Sequence, residues 1–274
     1  MKGAFRDHFS KQARQYSKHR PAYPDALFEY LADLAPERKL AWDCGTGNGQ
    51  AALKLARRFE RVIATDASAD QIRHAVAAHG VEYRAEPAEQ TSLGPKSVDL
   101  ITVGTAVHWF EFEPFYEEVR RVSREAAILA VWTYHLPKVS PAVDAWLEGF
   151  FRNTLAGYWP DRITYLDERY RTIPFPFEEI PTEPFSMTTR WDFKCFEGFL
   201  ASWSGSMAFC ERNGVEAFRR VMQRAATAWG ERRIERTIAW DLYCRIGRVF
   251  VSERAGEGGP SGHREPGPRT ASPG

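Results

Sequence analysis

The chain has 274 residues, with 37 Lys plus Arg against 36 Asp plus Glu for a net charge of +1, so no overall basic field draws it to nucleic acid or an acidic membrane. At 43% hydrophobic and 14% aromatic it can build a sizeable core, no apolar run is long enough to cross a bilayer, and the polar start from Met1 to Ser10 lacks a secretory h-region. This reads as a soluble, cytoplasmic globular protein, and the scattered Cys44, Cys195, Cys210 and Cys244, with no CxxC pair, speak against a metal or disulfide role.

The first half alternates helix and strand. Pro24 and Asp25 start a predicted helix with Leu27, Tyr30, Leu31 and Leu34 on one face, and a strand follows over 40–44. After a glycine turn, residues 50–59 read as a helix and RVIAT at 61–65 as a buried strand ending at Asp66. Residues 69–79 look helical, 81–85 and 98–103 are strands, 114–123 a helix and 127–132 (AILAVW) a fifth strand. Short apolar strands alternating with helices predict a parallel sheet covered on both faces.

Beyond Tyr134 the rhythm changes. Residues 137–171 look mostly helical and make a candidate lid, 181–192 contain a sixth strand, 194–231 give two helices, and 237–251 supply the last strand. The expected architecture is a doubly wound, seven-stranded Rossmann-like sheet, mostly parallel, with an antiparallel last strand at its edge and a helical lid insertion. The expected division is a cofactor core over 1–134, a lid or substrate region over 135–235, a final core strand over 236–251, and a disordered Gly- and Pro-rich tail over 252–274.

The strongest local signal is DCGTGNGQ at 43–50, set between a predicted strand and a predicted helix. Glycines permit a positive-φ turn and close approach of a ligand, and the helix start that follows offers free N–H groups. The dinucleotide pattern GxGxxG is not met, because the third glycine comes one position early at Gly49 and Gln50 stands where it should be. An acid two residues before GxGxG instead resembles the first motif of the class I S-adenosylmethionine-dependent methyltransferases.

That resemblance implies S-adenosylmethionine as cofactor, with Asp43, Gly45, Thr46, Gly47 and Gly49 around its amino-acid part and Asp66, with Ala67, at the ribose hydroxyls. Ala88 and Glu89 match the family's adenine loop, and Thr105 opens the loop after the fourth strand. Ala106-Val107-His108-Trp109 is similar to a subgroup that includes trans-aconitate methyltransferase, and Tyr16, Arg20-Pro21 and Tyr23-Pro24, preceded by Phe9, resemble the same subgroup's Y-x-x-x-R-P-x-Y-P stretch. Tyr16 and Arg20 are thereby implied at the cofactor, Trp109 and Trp203 in the substrate pocket, and His108 as a candidate catalytic base. Each of these residues also has a bland reading: Asp66 can be a plain helix cap, His108 a pocket wall, and the aromatic residues the core of the helical region.

The expected reaction is methyl transfer to a small-molecule acceptor, at a carboxylate or hydroxyl oxygen, yielding S-adenosylhomocysteine. The alternatives are a methyltransferase of RNA or protein, a nicotinamide-dependent oxidoreductase, and a cofactor-binding protein without turnover. No nucleic-acid or membrane partner is expected, and the oligomeric state is open.

Overall fold

The computed structural model describes residues 21–250, and up to residue 134 the alternation of helix and strand follows the sequence pattern. Helix α1 spans Asp25–Leu34, β1 Leu40–Cys44, α2 Gln50–Leu55, β2 Arg61–Asp66, α3 Ala69–Arg73, β3 Val81–Ala85, β4 Val98–Gly104, α4 Phe112–Val122 and β5 Ser123–Tyr134. Strands β1 to β5 pair in parallel. Period-two alternation along them sends side chains to two cores. On one face Ala41, Ala64, Leu100 and Trp132 meet Leu27, Phe28 and Leu31 of α1, and on the other Trp42, Ile101, Val103 and Val131 meet Phe115, Val119 and Val122 of α4.

The helix expected over 69–79 stops at Arg73. None of its residues is buried, so no apolar face holds it, and the Val76 N–H is used instead on the Asn48 carbonyl at 3.3 Å.

The second half contains α5 (Pro141–Gly149) running into a π-helical turn at Phe150–Thr154, a short α6 (Thr164–Asp167), β6 (Glu178–Glu179), β7 (Phe185–Trp191), α7 (Phe193–Ala201), α8 (Ser204–Asn213), α9 (Val215–Trp229) and β8 (Arg236–Val249). Three helices thus stand where two were expected, because Gly214, at φ 83°, separates α8 from α9. Val143, Leu147, Phe150, Phe196, Phe218 and Trp229 join the same buried cluster as Leu27 and Trp132. The helical region therefore shares the core of the sheet's first face.

Among the described residues the sheet has eight strands, in the order β3-β2-β1-β4-β5-β8-β6, with β7 also paired to β8. Two expectations change here. The sixth strand expected within 181–192 is present as β7, but a further short strand, β6, precedes it outside that range; Pro181 and Pro184 lie between the two and can donate no ladder hydrogen bond, so both pair in succession with the long β8. The antiparallel last strand is not at the edge: β8 lies between β5 on one side and β6 and β7 on the other. Gly247 allows this, because a Cβ there would come within 2.7 Å of the Phe175 ring and 2.9 Å of Phe177.

Candidate active site

The chain leaves β1 toward β2 on one side and leaves β4 toward β5 on the other, so the strand order reverses between β1 and β4. Open α/β sheets bind ligands in the crevice at such a reversal, beyond the strands' carboxyl ends. A small cleft of about 80 Å³ lies there, lined by Tyr23, Asp43, Gly45–Ala51 without Gly49, and Gly104, Thr105 and Ala106.

Its floor is the glycine turn. Gly45, Gly47 and Gly49 have φ of 66°, 57° and 91°, the left-handed region that side chains avoid. A Cβ at Gly45 would stand 2.6 Å from that of Ala106, and one at Gly49 would stand 2.3 Å from the Tyr83 hydroxyl. At Gly47 it would meet nothing within 4 Å, so this backbone faces open space.

Asp43 is buried, and its carboxylate accepts from the hydroxyls of Thr46 (2.5 Å) and Thr102 (2.9 Å) and from the Ala52 N–H (3.1 Å). It therefore binds β1, β4 and the start of α2 together beside the cleft. Burial pushes its pKa up to about 6, against the hydrogen bonds from Thr46, Thr102 and Ala52, and the nearby charge of Asp66 adds to the rise. Asp66, half-buried at the tip of β2, accepts the N–H groups of Gly47 (2.9 Å) and Ser68 (2.8 Å), while Ser68 rather than Asp66 caps α3. Ala67 beside it is exposed. Ala88 is buried, and Glu89 accepts the Glu111 N–H at 2.9 Å, tying the loop after β3 to the loop after β4. The Cys44 thiol is buried with its pKa driven well up by desolvation, which keeps it out of nucleophilic chemistry.

The loop after β4 starts at Thr105, a non-glycine residue at φ 55° whose N–H donates to the Trp132 carbonyl at 2.7 Å and whose hydroxyl lies 3.4 Å from that of Tyr23. His108 and Trp109 then form a 3₁₀ turn with Val107. His108 is buried and pairs through Nδ1 with the Tyr170 hydroxyl at 2.7 Å. Burial, helped by the Arg162 charge, pulls its pKa down to about 4, so the ring is neutral near pH 7 and is a weak proton acceptor. Arg162 clasps the loop by donating to the carbonyls of His108 (3.2 Å) and Phe110 (2.7 Å) and to the Glu111 carboxylate (2.7 Å).

Of the residues singled out in the sequence, Asp43, Gly45, Thr46, Gly47 and Thr105 line the cleft, and Gly49 and Asp66 shape its turn. Trp109 is 53% exposed, and Trp203 packs among Phe150, Phe151, Trp159 and Phe199 rather than on the lining. Phe9, Tyr16, Arg20 and the tail lie outside the described residues. Tyr23, Gln50 and Tyr170 were not foreseen as site residues. Tyr23 stood inside a motif already singled out, but Tyr170 carries no local signal, since its partner is 62 positions away.

A larger groove of about 550 Å³ opens where β6 gives way to β7, lined by Arg169, Arg171, Glu179, Glu183, Tyr243 and Arg245 among others. Among the described residues none of the expected site residues lines it, and it lies away from the strand-order reversal, so position and chemistry favour the smaller cleft over size. Among the described residues no three His, Cys, Asp or Glu side chains are grouped to hold a metal ion, and no helix is long and apolar enough to cross a membrane.

Residues 42–131, which span the cleft-forming strands, match the sequence model of a family described as a methyltransferase domain. Over 229 residues, 82% of this chain and 87% of the relative, the sequence is 34% identical to a Dictyostelium discoideum protein named as a methyltransferase. A Saccharomyces cerevisiae protein named as an S-adenosylmethionine-dependent methyltransferase is 27% identical over 136 residues, 46% of this chain and 47% of that one. The solved structure of an Anaeromyxobacter dehalogenans protein named as a type II methyltransferase is similar with a TM-score of 0.78 at 40% identity, covering 85% of this chain and 99% of that one.

Proposed function

Because the chain belongs to the class I S-adenosylmethionine-dependent methyltransferases, we propose that it methylates a small-molecule acceptor at a carboxylate or hydroxyl oxygen. The observation that carries the cofactor's position is the cleft at the β1/β4 reversal, where a buried acid and three left-handed glycines meet open space over Gly47. The donor set suits the cofactor's amino-acid end, since the carboxylate of Asp43 matches an ammonium and the free N–H groups at the start of α2 match a carboxylate. About 80 Å³ is the space of a few water molecules, so the enclosed part admits that end alone. The sugar then extends over Asp66, which can accept from both ribose hydroxyls, and the base toward Ala88 and Glu89.

When bound, S-adenosylmethionine supplies a methyl group already activated on a sulfonium. What remains for the protein is to hold the acceptor in line and exclude water. Thr105 and Ala106 form the wall of the cleft beyond β4, and His108 behind them sets the loop's geometry. Trp109 offers an exposed aromatic face to an acceptor, with Trp203 the next aromatic candidate and the helical region over 135–235 the candidate lid. A carboxylate acceptor needs no base, and the low basicity of His108 fits that requirement.

The oxygen-acceptor reading rests on the Ala106-x-His108-Trp109 segment and its resemblance to the trans-aconitate methyltransferase subgroup, and the near-zero net charge favours a small molecule over RNA. Tyr16 and Arg20 are assigned to the same site by the Y-x-x-x-R-P-x-Y-P motif, with the Arg20 guanidinium suited to a carboxylate. Two measurements test the proposal. Calorimetry with S-adenosylhomocysteine and, in parallel, NADH should give binding of the first only. Transfer of labelled methyl to a panel of organic acids and alcohols should exceed transfer to bulk RNA and peptides, and activity confined to the polymers would reverse the acceptor class.

A further inference from the structure

The groove of about 550 Å³ where β6 gives way to β7 shares no lining residue with the cleft at the β1/β4 reversal, and it has the size that suits a small organic molecule. It opens where the ladder against β8 is interrupted. The Ile180 N–H donates to the Ile246 carbonyl at 2.8 Å, and pairing resumes only at Phe185, opposite Leu242. Along an antiparallel strand the N–H and carbonyl of one residue point to the same side, and every second residue repeats that direction. Ile246 points toward β6, whereas Ala239, which exchanges both main-chain bonds with Lys138, points away from β7. Cys244 therefore turns its N–H and carbonyl into the gap, and residues 181–184 cross it without a main-chain bond to either.

The side chains around the gap carry an excess of positive charge. Arg169 and Arg171 have no ion-pair partner among the described residues: the Arg169 guanidinium lies over the Tyr243 ring at 4.8 Å, and Arg171 Nε donates to the Glu168 carbonyl at 3.2 Å. Arg245 is already engaged, holding both carboxylate oxygens of Glu179, which leaves Glu183 as the unpaired carboxylate among the described lining residues. The two exposed guanidiniums are also fixed in place. Tyr170 between them is fully buried, its hydroxyl 2.7 Å from His108 Nδ1, and Arg245 donates to the carbonyls of Tyr170 (3.3 Å) and Ile173 (2.5 Å). Arg169 and Tyr170 are held at φ 58° and 59°, a conformation that bulky side chains rarely adopt and that gathers at ligand clamps.

We propose that this groove is a second binding site, for a small organic oxyanion: a phosphate or carboxylate on a frame that carries a hydroxyl. Arg169 and Arg171 supply forked, charged donors to the oxyanion, and the Cys244 N–H adds a main-chain donor. The Cys244 carbonyl accepts from the ligand's hydroxyl. A bare inorganic ion would leave most of the groove unfilled and that carbonyl unused. A polymer of phosphates would bring further negative charge against Glu179 and Glu183 on the same lining. The site stands apart from the methyl transfer proposed above and does not rest on it.

The test is ¹H–¹⁵N NMR of the full chain labelled with ¹⁵N in its four cysteines, with two amide signals assigned by their loss in Cys244→Ser and Cys44→Ala. Cys244 lies on the groove, and Cys44 adjoins Gly45 of the cleft. Titration with glycerol 3-phosphate and, separately, with glycerate at fixed ionic strength should move the Cys244 signal saturably and leave the Cys44 signal in place. Whichever compound binds more tightly identifies the oxyanion. Arg169→Ala and Arg171→Ala, both at exposed positions, should melt with the unaltered protein and each weaken that binding by about tenfold, as a lost charge-assisted hydrogen bond implies. The site is overturned if neither compound moves the Cys244 signal, if chloride moves it as far, or if both arginine variants bind as tightly as the unaltered protein. A shift confined to Cys44 would place the anion in the cleft and overturns it as well. S-adenosylhomocysteine binding bears on the cleft alone, so the two readings fail independently.

Discussion

Asp66 accepts the N–H of Gly47 at 2.9 Å, so the acid that ends β2 is fastened to the apex of the turn that follows β1. The two strand ends that would share a nucleoside are thereby held in one geometry before any ligand arrives, and preorganisation of this kind lowers the cost of binding.

Asp66→Ala removes that fastening and the acceptors proposed for the ribose. Hydrogen bonds to a charged group contribute about 1.5–3 kcal/mol each, so S-adenosylhomocysteine affinity should fall roughly tenfold to a hundredfold. Asp66→Asn, which keeps one acceptor oxygen, should fall between. Isothermal titration of the three proteins checks this, and equal affinities would mean that the sugar lies elsewhere.

The three glycines of the turn should respond differently to alanine. All carry the left-handed cost of about 1–2 kcal/mol, but Gly45→Ala and Gly49→Ala add overlaps with Ala106 and with Tyr83, whereas Gly47→Ala meets nothing. Thermal melts should therefore rank Gly47→Ala as the mildest. Because Gly47 lines the cleft, that same variant should still weaken S-adenosylhomocysteine binding, and a variant both stable and tight would show that the ligand does not pass over Gly47.

Strands β1, β2, β4 and β5 were legible because each carries a short apolar run closed by a turn signal, and a parallel sheet buries such runs on both faces, whereas β3 (VEYRA) at the edge shows only alternation. The glycine turn was legible for a related reason: only glycine tolerates three positive φ angles within five residues. What escaped was set by distant partners. The extra strand β6 and its separation from β7 depend on where Pro181 and Pro184 fall against β8, and the insertion of β8 beside β5 depends on Gly247 admitting Phe175 and Phe177. The Tyr170 contact with His108 has no periodicity to reveal it, and the depressed basicity of His108 follows from burial that no local pattern records.

His108→Gln should separate binding from turnover. The side chain does not line the cleft, so S-adenosylhomocysteine affinity should stay within about threefold, while loss of the ring that Tyr170 holds in the loop after β4 should lower kcat on a hydroxyl acceptor by about tenfold. Steady-state kinetics on an alcohol and a carboxylate acceptor would check it. A loss as large as a thousandfold would instead indicate full proton removal by His108.

Asp43 makes cofactor binding pH-dependent. Its folded pKa of about 6 stands above the ordinary 3.8, so the native state holds this proton more tightly than the unfolded chain does. The stability that proton contributes is fully present below about pH 4 and is lost as pH rises through about 6. An ammonium beside the carboxylate has the opposite preference, since it favours the ionised form, so affinity for S-adenosylhomocysteine should rise with pH by up to about tenfold per unit below 6 and level off above it. Asp43→Asn can keep the contacts with Thr46 and Ala52 through its carbonyl and donate its amide to a rotated Thr102 hydroxyl. It should therefore fold, bind more weakly at pH 8, and lose the pH dependence. Titrations from pH 5 to 8 read this directly, and an affinity of the unaltered protein that is flat across that range would mean that the cofactor's amino group does not face Asp43.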